Sequence, residues 1–88
     1  MAKSGPLMKR TTGRWVELWA ECTLSGTLSI KSNENSKKPI KKYPLKTCTI
    51  VKISDKEFNI KRPEKRDPVK LKAKTAEQAA IWIPTLSV

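Results

Sequence analysis

The sequence predicts a mainly β domain: a small seven-stranded antiparallel sandwich or barrel with one α-helix at its C-terminal end. Three observations predict it. Seven short segments alternate apolar and polar residues at a spacing of about ten residues. Nearly every connection between them is too short for a crossover, so neighbours pair antiparallel. The last fourteen residues, Thr75 to Val88, change to a helical period behind Thr75-Ala76-Glu77-Gln78, a capping box in which Thr75 accepts from the Gln78 amide and Gln78 can reach back to Thr75.

Residues 3–10 read as the first strand, with Gly5, Leu7 and Lys9 alternating against Pro6 and Met8; Pro6 suits a strand start or an edge. Thr11-Thr12-Gly13 is a tight connection. From Arg14 to Leu24 a long strand puts Val16, Leu18, Ala20, Cys22 and Leu24 on an apolar core face and Trp15, Glu17, Trp19 and Glu21 on the other. Ser25-Gly26 makes a hairpin turn, and Leu28 and Ile30 point inward on the third strand. Residues 31–39 are a polar loop by composition. Ile40–Leu45 is a short strand interrupted by Pro44, and Thr47–Ile53 is rich in β-branched residues. Glu57–Arg62 turns Phe58 and Ile60 inward, residues 63–68 form a charged loop, and Val69–Lys74 alternates with its lysines outward. In the helix, over about 75–86, Ala79, Trp82, Ile83 and Leu86 make one apolar face that covers an open end of the β framework. Pro84 cannot donate to the Ala80 carbonyl, so the helix is expected to kink or end near Ile83, with Leu86 packing from an irregular tail.

Length and charge limit what such a chain does. Its 88 residues make one domain, 1–88, with room for a single core and none for a deep catalytic cleft. Both ends lie close to the fold, so a piece of a longer protein is expected. Nineteen Lys and Arg against eight Asp and Glu give a net charge of +11, which favours polyanions: an anionic leaflet or nucleic acid. Cys22 and Cys48 are too few for a secreted disulfide scaffold and read as free thiols of a reducing compartment. A cytoplasmic domain is therefore expected, with no signal peptide and no apolar run long enough to cross a bilayer. Catalysis has no candidates: there is no His, no phosphate-cradling Gly-rich loop and no carboxylate cluster. Two cysteines without histidines make no zinc site, and no cofactor is implied.

Taken in order, these pieces resemble the pleckstrin homology (PH) domain over essentially the whole chain. The matching residues are Gly5-Pro6-Leu7-Met8-Lys9, Arg14-Trp15-Val16-Glu17-Leu18, Gly26-Thr27-Leu28, Tyr43-Pro44-Leu45, Glu57-Phe58-Asn59-Ile60, Leu71-Lys72-Ala73-Lys74-Thr75 and Ala80-Ile81-Trp82-Ile83. Trp82 stands where this family has its hallmark helix tryptophan. The resemblance implies a PH-like barrel of two orthogonal antiparallel sheets, four strands and three. Its helix plugs one end, and its ligand mouth opens at the other, among the loops joining strands one and two, three and four, and six and seven.

The resemblance also implies a non-catalytic module that binds phosphoinositide headgroups and targets its parent protein to anionic membranes, peripherally at their inner face. Phosphoinositide-binding members resemble one another in a Lys on strand one, then a basic residue and an Arg on strand two. Lys9 and Arg14 match the ends of that pattern, while Thr12 stands at the intermediate basic position. Arg10 is a further candidate, although alternation turns it to the opposite face. Lys37 and Lys38, in the loop after strand three, and Lys31, at that strand's end and expected to point toward the mouth, add positive field. Phosphate oxygens take charge-assisted bonds from such groups, bidentate from arginine.

Trp15 and Trp19, on the outer face of strand two, suggest a protein contact, or else rings partly buried by strand curvature and covered by lysine stems. The alternative function is therefore protein interaction in a signalling or scaffold protein with a vestigial lipid site. Nucleic acid is disfavoured, because five aromatic residues make a poor stacking platform. As an isolated domain the chain is expected to be monomeric.

Overall fold

The computed structural model describes residues 3–87. Seven strands precede one helix: β1 Lys3–Thr11, β2 Arg14–Cys22, β3 Thr27–Lys31, β4 Lys41–Pro44, β5 Thr49–Lys52, β6 Glu57–Lys61, β7 Val69–Lys72 and α1 Ala76–Leu86. A 3₁₀ turn, Leu45–Thr47, takes the last residue of the expected fourth strand and the first of the expected fifth; Leu45 is buried there and the Thr47 hydroxyl donates to the Pro44 carbonyl at 3.0 Å. All pairings are antiparallel, in the order β4-β3-β2-β1-β7-β6-β5. The four-strand and three-strand halves meet where β1 pairs with β7, at Met8↔Lys72 and Lys9↔Leu71.

Alternation decides what fills the barrel. Leu7, Ala20, Cys22, Leu28, Ile30, Tyr43, Phe58, Ile60, Val69 and Leu71 are all buried on the inner face. Burial pushes the Cys22 thiol up from its ordinary value, so it stays protonated at neutral pH. From the helix, Ala79, Trp82 and Leu86 complete the same core. Trp82 lies against the start of β1: a methyl group built on Gly5 would sit 3.7 Å from its ring, and Lys3 Nζ stands 4.9 Å from the ring centroid. The helix therefore closes the end where β1 begins, and the end where β1 finishes stays open.

The structure corrects further expectations. Strand β2 stops at Cys22, and Leu24 is 83% exposed. Thr23 leaves the ladder to hold a turn: its amide donates to the Thr27 carbonyl at 2.9 Å, its carbonyl accepts from the Gly26 amide at 3.1 Å, and Gly26 takes φ 91°. Val16 faces inward yet is 38% exposed, because the β1–β2 hairpin outruns its neighbours; β3 pairs with β2 only from Trp19 to Cys22. Pro44 is the last residue of β4, one short of the expected Leu45, and it pairs opposite Thr27 on an edge strand, where its missing donor costs little.

Pro84 does not end the helix, which runs on through Leu86, and Leu86 is buried from within it. The proline sits in the last turn with its ring exposed, and the carbonyl it orphans belongs to Ala80, itself exposed to water. The turn is held instead by Ser87, whose amide donates to the Ile83 carbonyl at 3.1 Å, and by Thr85, whose hydroxyl donates to the Ile81 carbonyl at 2.8 Å. At the other end Thr75 caps as expected, accepting from the Gln78 amide at 3.1 Å.

The β1–β2 turn carries backbone strain. Thr12 has φ 48° and Gly13 φ 79°, the two left-handed positions of a type I′ hairpin. Glycine holds that region freely, but a β-branched residue pays about 1 kcal/mol or more to enter it. Thr12→Asn, which tolerates the region, is expected to raise the melting temperature by roughly 4–8 °C. A thermal scan of parent and variant checks this.

Candidate functional site

Register sets which loops frame the open end. Strand β1 runs toward it, so β2 leaves it, β3 returns and β4 leaves again; β7, antiparallel to β1, starts there. The connections at 12–13, 32–40 and 62–68 therefore surround one mouth.

Above the last apolar layer, each of four chain segments presents a cation on the inner face. Leu7 is followed at two residues by Lys9, Val16 is preceded by Arg14, Tyr43 by Lys41, and Ile60 is followed by Arg62. Lys9 pairs across the hairpin with Val16, and Arg14 with Thr11, so Lys9 and Arg14 share this face as diagonal neighbours. Lys41 stands opposite the buried Ile30. Arg62 lies with its guanidinium carbon 5.7 Å from the Tyr43 ring centroid, which fixes it over the core.

The mouth contains a cavity of about 430 Å³, within the usual size range of small-ligand sites. Five cations line it, Lys9, Arg10, Lys41, Arg62 and Lys70, against one carboxylate, Asp67. Two ion pairs form among the described residues, Lys31–Glu21 at 3.2 Å and Lys74–Glu17 at 2.7 Å, and neither uses a cavity cation. Arg62 donates from Nη2 to the Asp67 carbonyl at 3.3 Å, while its buried Nε has no acceptor among the described residues. Burial pushes the Tyr43 phenol up, with Arg62 partly opposing the shift, so the hydroxyl is a neutral donor at physiological pH. Clustered oxyanions suit such a lining: each would replace unpaired cation–cation repulsion with charge-assisted bonds.

The other candidates fall in three places. Arg14 is exposed further out on the hairpin and does not line the cavity. Lys37 and Lys38 are exposed on the 32–40 loop at the rim. Lys31 does not point toward the mouth: it follows the inward Ile30, so it turns outward and is engaged by Glu21. Arg10, also outward, stands 5.6 Å from the Trp15 ring centroid while bordering the cavity.

Trp15 and Trp19 are half-buried. Trp15 is covered by Arg10 and by Lys72, whose Nζ is 4.6 Å from the ring centroid. Trp19 lines a separate cavity of about 280 Å³ with Leu18, Asn33 and Lys74, and its buried indole N–H has no acceptor. Sequence reasoning left three cavity cations out of the site: Lys70, which alternates outward between Val69 and Leu71, and the two inner-face cations Lys41 and Arg62. For the inner-face two, parity was the available signal: each lies two residues from a buried inner-face residue, Tyr43 and Ile60.

No group of three or more His, Cys, Asp or Glu able to hold a metal ion occurs among the described residues. No helix there is long and apolar enough to cross a membrane.

No curated protein sequence matches the chain. Among solved structures, the pleckstrin homology domain of the human KIAA0053 protein superposes with a TM-score of 0.84 at 22% identity, over 97% of this chain and 84% of that one. The C-terminal PH domain of pleckstrin, solved with an inositol pentakisphosphate, gives 0.84 at 18% identity, over 96% and 92%. The Slm1 PH domain, solved with inositol 4-phosphate, gives 0.85 at 19% identity, over 97% and 92%. At these identities the likeness establishes the fold. The family model described as PH domain matches residues 1–87, so the chain belongs to the PH domain family.

Proposed function

We propose that this chain is a non-catalytic module that brings the protein carrying it to anionic membranes, by holding a phosphoinositide headgroup in the basic mouth. One observation carries the reading: a cavity lined by five cations and one carboxylate, with none of those cations in an ion pair among the described residues. Lys9, Lys41 and Arg62 take phosphate oxygens directly, and Arg62 offers the bidentate fork that a lysine lacks. The Tyr43 hydroxyl adds a neutral donor. Arg14 reaches the ligand from the outer hairpin, with Arg10 at the rim, while Lys37 and Lys38 strengthen the field near the leaflet. The pleckstrin and Slm1 domains, solved with inositol phosphates, lend support by their shared fold. The setting is cytoplasmic, at the inner face of a membrane, and the isolated domain acts as a monomer.

Titration of soluble inositol phosphates, followed by amide chemical shifts, tests it. Shifts are expected at Lys9, Tyr43, Arg62 and the 32–40 loop, and they should weaken as salt shortens the Debye length. Shifts confined to the outer face around Trp19, or none, would exclude the mouth as the site.

A second reading, protein docking on the outer face of the hairpin, is favoured by the Trp19 indole N–H that is buried without an acceptor beside its own cavity. A peptide carbonyl delivered there would satisfy it. Protection of Trp19 from solvent quenching by a protein ligand would mark that mode.

A further inference from the structure

We infer that Ile40, aided by Val16, is an apolar wedge that enters the acyl boundary of the bilayer, so that the mouth takes its anionic ligand from a membrane surface and not from solution. The inference rests on the headgroup reading above and adds a source for the ligand and a second contact to it.

Five large apolar residues are exposed among the described residues: Val16, Leu24, Ile40, Ile53 and Ile81. Scattered exposed apolar side chains are ordinary and need no function. Their placement separates them. Ile40 and Val16 flank the open mouth, Ile40 where the 32–40 loop enters β4 and Val16 opposite Lys9 on the projecting hairpin. Leu24 and Ile53 lie in the turns at the plugged end, and Ile81 lies on the helix.

Charge further separates Ile40 from Leu24. Ile40 stands between Lys37-Lys38-Pro39 and Lys41-Lys42, and no acidic residue occurs from Asn35 to Ser54. Leu24 has no cation within three residues on either side, although at 83% exposure it is the more open side chain. An apolar tip ringed by lysines is complementary to an anionic leaflet, whose headgroups meet the ammonium groups while the tip passes below them. It complements a free inositol phosphate poorly, because that ligand has no apolar part to cover a 57% exposed isoleucine.

The backbone presents this tip firmly. The Ile40 amide donates to the Ile30 carbonyl at 2.6 Å, tying the loop's exit to the core strand β3, and the preceding Pro39 restricts the approach. The side chain is therefore displayed without the ordering cost that a mobile loop would add on insertion. The projecting hairpin holds Val16 on the same inner face as Lys9 and Arg14, so apolar and cationic groups advance on the membrane together.

The test compares two ligand sources for one headgroup chemistry. One arm uses vesicles of phosphatidylcholine and phosphatidylserine doped with a phosphatidylinositol phosphate; the other uses the matching soluble inositol phosphate. Ile40→Ala is expected to lose about tenfold in vesicle affinity, as for removal of most of a buried aliphatic side chain, and nothing against the soluble headgroup. Ile40→Trp should bind vesicles at least as well as the parent, since tryptophan favours the interface. Leu24→Ala should match the parent in both arms. The parent-to-Ile40→Ala ratio should persist at high salt, where the electrostatic part fades.

Vesicle binding by Ile40→Ala equal to the parent, or an equal loss in Leu24→Ala, overturns the inference. A parent that binds the soluble headgroup as tightly as the vesicle overturns it alone and leaves the headgroup reading standing. A parent that binds neither overturns both.

Discussion

Trp82→Ala is expected to cost about 3–5 kcal/mol of folding stability, the range for emptying a large aromatic site in a well-packed core. Domains of this size hold about 5–15 kcal/mol in total, so the variant should sit near its unfolding midpoint in mild denaturant. The expected loss is at the top of the range because the cavity cannot collapse. The ring lies against Gly5 on β1, where no side chain stands ready to fill the space, and the neighbouring helix residues Ala79 and Leu86 are already buried. Urea titration of parent and variant measures the effect. A shift of the midpoint without a change in slope would locate the loss in stability rather than in the unfolded state. Gly5→Ala is the matched control: its added methyl meets Trp82 at an ordinary contact distance.

The double variant Lys9→Ala/Lys41→Ala should move binding and stability in opposite directions. Both cations line the mouth, and neither has a carboxylate partner among the described residues. Each charge-assisted bond to a phosphate contributes about 1.5–3 kcal/mol, so removing two should weaken inositol phosphate binding by about a hundredfold or more. Meanwhile the empty mouth loses like-charge repulsion, and the melting temperature should stay level or rise, the trade expected where a site is held against its own stability. Calorimetric titration beside a thermal scan reads both. A fall in melting temperature together with binding would mean that these lysines support the fold and not the ligand.

Most of the architecture was legible because the strand period and the helix period are local. Leu28 with Ile30, Phe58 with Ile60 and Val69 with Leu71 alternate cleanly and are all buried. The capping box at Thr75 located the start of the helix to within one residue. Expectations failed where burial or bonding depended on a neighbour's length. Val16 has the right parity, but no strand covers that part of the hairpin. Leu24 has it too, yet Thr23 and Gly26 take the chain out of the ladder first. The rule against proline holds for a helix interior, whereas Pro84 stands in the last turn, where the Ser87 hydroxyl donates to the Ile83 carbonyl.

The mouth was legible in part. Lys9 and Arg14 follow from the hairpin. Lys31 was misdirected although the inward Ile30 beside it already turned it outward. Lys41 was hidden in a run of lysines, and Arg62 stands at a strand end beside a charged loop that carries Glu64 and Asp67. In space, the Asp67 carbonyl holds the Arg62 guanidinium in place.

The seam between β1 and β7 joins residues more than sixty positions apart, as Lys9 pairs with Leu71. No shorter piece of the chain can make this closure, so a nascent polypeptide leaving the ribosome must keep its first strand waiting until nearly the last has been synthesised. Loop-closure entropy makes such distant pairing slow, in the millisecond-to-second regime of β-rich domains. During that wait the apolar face of the first hairpin has no permanent cover. Lysine-rich segments following it would keep neighbouring nascent chains apart by mutual repulsion, which gives the high positive charge a second use before any ligand is met.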